Sequence, residues 1–213
     1  ERLARTGAVS DNQLLGLYTE RRPAASGGVW NRVAALQKLE ANMAAGNRTG
    51  IAAALPSAWA ALSQARVEVP IARIHGLELA ALELEGEAGR LALHMGLLSD
   101  SYEAVALAAG PTTGFDRLLV ALAQGRPGEA GNDSRAAAVR EGFAATRAPA
   151  RLANLVDDNR LGEAILRAMT LLSEGTLGDL DQVTDALALL RAVGLEDTAR
   201  RAAIEFLILD RRG

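Results

Sequence analysis

Three stretches near the end of the chain decide the fold: residues 161–174 read LGEAILRAMTLLSE, 179–193 read DLDQVTDALALLRAV, and 196–210 read EDTARRAAIEFLILD. In the first, Ile165, Leu166, Met169 and Leu172 stand at the three- and four-residue intervals of an α-helix. The others repeat that spacing, and Gly175, Gly178 and Gly194 separate them, so three helices joined by tight turns are expected. Ile204 to Leu209 is almost wholly apolar. A helix apolar on most sides is covered on most sides, so this run sits either at the centre of the fold or in a homodimer contact.

Working outward, the same character extends over all 213 residues. The chain holds 44 Ala and 34 Leu, 78 positions together, while only 3% of residues are aromatic. Ala and Leu are strong helix formers, and sheets favour β-branched and aromatic residues, so the fold class read here is all-α. With 49% apolar residues the chain can build a core, which excludes disorder. Ser10 or Asp11 caps a first helix with Leu14, Leu15, Leu17 and Tyr18. A second runs from Val29 to about Ala45 on Val33, Leu36, Leu39 and Met43, closed by Gly46 and Asn47. Pro56 and Pro70 are each placed in the first turn of a helix, where a missing N–H costs nothing. Gly86 opens a further helix, Ser99 caps Tyr102 to Ala109, Gly110-Pro111 ends it, and helices follow over Phe115 to Gln124 and from Asp133 through Phe143. About a dozen short helices result, stacked as antiparallel hairpins in a solenoid or an irregular orthogonal bundle. Residues 1–213 are read as one helical domain, with residues 126–134 (RPGEAGNDS) the best internal boundary. The chain begins at Glu1 rather than Met, which suggests a piece of a longer protein and leaves its compartment unknown.

One spacing recurs in the last half. Asn159 precedes Ala164 by five and Gly194 precedes Ala199 by five, as Gly125 precedes Ala130; the alanines are 34 and 35 residues apart. Leu155 and Leu190 stand four before two of the turn residues, with Ala121 in that place in the third window. Over residues 118–209 the chain therefore resembles the tetratricopeptide repeat, whose period is 34 residues. The resemblance implies helical hairpins closed by a turn residue and packed through a small residue, and a protein-binding role. The family's bulky Trp and Tyr positions are unmatched, and Gly131-Asn132-Asp133 would break the second helix of the first unit.

Charge and chemistry narrow the function mainly by exclusion. The net charge is −3 with no basic run, which argues against nucleic acid as a partner. Of 23 basic residues 22 are Arg and one is Lys38, a bias expected of a GC-rich bacterial genome. Without cysteine there is no thiolate nucleophile, disulfide or cysteine metal site. His75 and His94 lie among apolar residues outside any metal-binding spacing and read as partly buried, hydrogen-bonded groups. Asp157 and Asp158 are adjacent and diverge on a helix, and Glu78, Glu83, Glu85 and Glu87 read as a solvated helix end. No phosphate-binding glycine loop or nucleophile elbow occurs, so no cofactor, metal or catalytic residue is assigned. The stretch from Tyr18 to Trp30 is the least ordinary segment. It gathers Tyr18, Arg21, Arg22 and Trp30 within 13 residues, and these residue types dominate binding hot spots. They are the candidate partner surface; the structural alternative has Ser26 capping the Trp30 helix while Tyr18 and Trp30 fill the core.

The function expected from the sequence is a non-enzymatic interaction or scaffold module of a bacterial protein, with a protein partner or a second copy as ligand. Two alternatives stand beside it: a helical accessory domain of a larger enzyme, such as one acting on the cell wall, and a small-molecule-binding bundle. The fold class is checked by far-ultraviolet circular dichroism, which should be helix-dominated; a substantial sheet signal would refute it.

Overall fold

The computed structural model of the chain describes residues 1–20, 28–110, 114–126 and 133–209, and among these it contains thirteen helices and no strand. The all-α class is thus confirmed. The backbone divides into two compact units, Glu1–Ala108 and Ala109–Gly213. The division falls beside Gly110-Pro111, a step that cannot continue a helix, upstream of residues 126–134. Residues 127–132 of that segment lie outside the described ones.

The first unit contains α1 (Arg2–Arg5), α2 (Asp11–Glu20), α3 (Val29–Ala44), α4 (Arg48–Ala65), α5 (Glu68–Ala80), α6 (Gly86–Leu97) and α7 (Tyr102–Ala108). At the start of α2, Ser10 Oγ accepts from the Gln13 N–H while Gln13 Oε1 accepts from the Ser10 N–H, so each side chain satisfies the other's backbone donor. α5 and α6 form the closest pair, and α4 packs on α6 and on α3. A Cβ built on Gly76 of α5 would lie 2.3 Å from the Met95 carbonyl oxygen of α6, and one on Gly96 would lie 2.8 Å from Ala80 Cβ. Leu36, Leu39, Ile51, Leu55 and Leu79 fill the core around this crossing. Ser99 sits between α6 and α7, donating to the Gly96 carbonyl at 2.6 Å and accepting from the Ser101 N–H at 3.2 Å.

The second unit contains α8 (Gly114–Ala123), α9 (Ser134–Ala144), α10 (Ala150–Asp157), α11 (Leu161–Gly175), α12 (Leu180–Ala192) and α13 (Glu196–Ile208). α12 is its axis: Val183, Ala186, Leu187, Leu189 and Leu190 are buried against α9, α11 and α13. Gly142 on α9 and Gly175 on α11 permit close crossings, since a Cβ on either would meet α12 atoms at 2.9 Å. In a stack of repeats each hairpin touches only its neighbours. Here α9 packs on α12, and α8 packs on α13, contacts that skip two and four helices and belong to a bundle. The apolar run at the end, Ile204, Phe206, Leu207 and Leu209, is buried within this unit rather than offered to a second copy.

The recurring five-residue spacing has a local cause. Gly125, Asn159 and Gly194 are left-handed, with φ of 75°, 58° and 86°. Each ends its helix in a Schellman turn. The Arg160 N–H donates to the Leu155 carbonyl, Leu195 to Leu190 and Arg126 to Ala121, while the turn residues' own N–H groups reach the carbonyls of Val156, Arg191 and Leu122. The residue after each turn of Asn159 and Gly194 is the N-cap of the next helix, so the position five beyond the turn is on that helix's inner face, and Ala164 and Ala199 are fully buried. The same turn closes α3 at Gly46 and α4 at Arg66, with Ile51 and Ile71 buried five residues on. Those two turns are only 20 residues apart, so the spacing follows from turn geometry, not from a 34-residue unit.

Pro56 corrects one expectation. It does not start a helix but lies inside α4, which runs unbroken from Asn47, its N-cap, whose side chain accepts from the Gly50 N–H. Ile51, Ala54 and Leu55 before the proline and Ala58 and Leu62 after it are all buried on one face. Burial on both sides outweighs the lost hydrogen bond and steric cost of about 3 kcal/mol. The short α10, with Leu152 and Leu155 buried behind Pro149, was not expected at all.

Two stability measurements follow from this geometry. Pro56→Ala should stabilise the protein by about 2 kcal/mol in chemical denaturation, the helix gain less the entropy proline removes from the unfolded chain. Gly194→Ala should destabilise it by about 1 kcal/mol, because φ is positive there, and Asn159→Gly should be neutral to slightly stabilising.

Candidate functional site

The residues picked out near the start separate in the structure. Tyr18 is buried (4% exposed) and belongs to the core, whereas Trp30 is 42% exposed on the first turn of α3. Arg21, Arg22 and Ser26 lie outside the described residues. The N-cap of α3 is Gly28, at φ 81°, with no side-chain cap.

What Tyr18 does instead is electrostatic. Its hydroxyl donates to Glu1 Oε1, and the Arg32 guanidinium grips the same carboxylate through Nε at 2.8 Å and Nη2 at 3.0 Å. The Glu1 and Arg32 side chains are only 19% and 11% exposed. Burial pushes the Glu1 carboxyl up, but the Tyr18 hydrogen bond and the Arg32 charge outweigh it, and the group lies below its ordinary 4.5. Burial and the bond to Glu1 raise the Tyr18 phenol. The cluster fastens the chain start to α2 and α3, a structural task.

The two histidines are in place as the sequence suggested. His75 on α5 meets Glu40 on α3 at 3.2 Å, both half-buried, and His94 is buried on α6. Glu78, Glu83, Glu85 and Glu87 are all exposed, as are Asp157 and Asp158. Among the described residues no group of three or more His, Asp or Glu is arranged to hold a metal ion, and no helix is long and apolar enough to cross a membrane.

The feature the sequence reading missed is the outer side of α11. Its inner side has small residues at its centre: Ala164 and Ala168 are buried in a cluster with Leu152, Leu155, Ala186 and Leu189, Leu171 and Leu172 pack partly buried against that cluster, and Gly175 is buried against α12. Its outer side carries Leu166, 64% exposed, and Met169, 57% exposed, with Leu161 and Leu177 exposed near the helix ends. Of the four apolar positions that mark α11 as a helix, two thus point away from the core. Glu163 runs beside this strip, accepting from Arg167 Nη2 at 2.8 Å and from Arg160. Those two guanidinia, Arg167 first, hold its carboxyl below the usual range. The sequence carries the signal: α11 has apolar residues on more than one side, as residues 204–209 do.

No protein-family model, no curated protein and no solved structure matches the chain.

The Glu1 cluster is tested by Tyr18→Phe, which keeps the buried ring and removes the hydroxyl. At pH 7 it should cost about 1.5–3 kcal/mol, the range for a hydrogen bond to a charged group. Glu1 has a depressed pKa in the folded state, so its contribution is present above 4.5 and is lost as pH falls through the lower folded value. The difference between wild type and Tyr18→Phe should therefore shrink towards zero in acid, measured by urea unfolding at stepped pH.

Proposed function

We propose that this chain is a non-enzymatic interaction module whose second unit presents the outer face of α11 to a protein surface of like character, an apolar helix face. The observation that carries the reading is the exposure of Leu166 and Met169 in the middle of a helix whose opposite side, with Ala164, Ala168, Leu171 and Leu172, packs on the core. Scattered exposed apolar residues need no explanation, but Leu166 and Met169 stand one turn apart on one face in the middle of a helix, a pattern of the kind used for helix-to-helix recognition. Arg160, Glu163 and Arg167 beside it supply a polar rim. Supporting this reading over an enzymatic one is the plain structural use of the polar groups that could do chemistry: Tyr18 and Glu1 tie helices together, and His75 bridges α5 to α3.

The test is a photo-crosslinking amino acid placed at position 166 in the protein as it is expressed in its own cells, with position 34, an exposed alanine on α3, as control. Light-dependent protein adducts are expected at 166 and not at 34, and Met169→Glu should remove them. Absence of any adduct at 166 would overturn the proposal.

A further inference from the structure

We draw no further inference here: the strongest candidate, the exposed apolar side of α11 at Leu166 and Met169, belongs to the site already described, and nothing in the structure shows what covers it.

Discussion

Close approach of helices is the constraint from which the rest of this structure follows. A chain with 44 alanines and seven aromatics has many positions whose side chains are too small to fill the space between helices at ordinary separation. It can reach interior packing density only by bringing backbones together. Gly76 against the Met95 carbonyl, Gly142 against the Thr184 carbonyl and Gly175 against Val183 are the places where this happens, and in each a single methyl group would not fit. The aliphatic layer then closes around these crossings, with Ile71, Leu79 and Met95 in the first unit and Val183, Leu187 and Leu189 in the second.

Such approach demands short, sharply defined turns, and these were the most legible part of the sequence. Glycine or asparagine at Gly46, Gly125, Asn159 and Gly194 marks a left-handed helix stop that few other residues accept without strain. Arg66 is an exception: it takes the same conformation with a side chain that gives no warning, and its turn was invisible beforehand. Pro56 misled in the opposite direction. A local rule said that proline begins a helix; burial of Leu55 and Ala58 on either side overrode it. The apparent repeat belongs to the same lesson. At Asn159 and Gly194 its spacing records how a Schellman turn delivers the next helix's fourth residue to the core, while Ala130 of the remaining window lies outside the described residues.

Less legible was the use of arginine. Composition alone explained 22 arginines by codon preference, yet several perform tasks that lysine would do poorly. Arg200 donates to the Ala123 carbonyl at the end of α8, Arg135 to the Leu209 carbonyl at the end of α13, and Arg48 to the Glu83 carbonyl beyond the end of α5. The Ala123 oxygen has lost its intrahelical partner and carries the negative end of the helix dipole, and the other two belong to the chain just past a helix. Arg135 also lies 4.4 Å from the Phe206 ring centroid, and Arg191 5.0 Å from that of Phe143, where a planar cation can stack. Contacts between residues as remote as 123 and 200 have no trace in local sequence pattern.

The same distinction explains why the outer side of α11 was overlooked. Periodicity locates a helix but does not say which of its apolar sides is inward, and on α11 the most deeply buried residues are the small ones: Ala164, Ala168 and Gly175 are buried, Leu171 and Leu172 only partly, and Leu166 and Met169 face out. In a protein built on close crossings this inversion is natural. Small residues mark the centre of that inner face because that is where backbones meet. A solitary helix surface so arranged would be a liability for solubility. The outward side of α11 differs in this: Leu166 and Met169 are exposed there, and a Cβ placed on Gly162 would meet nothing within 4 Å.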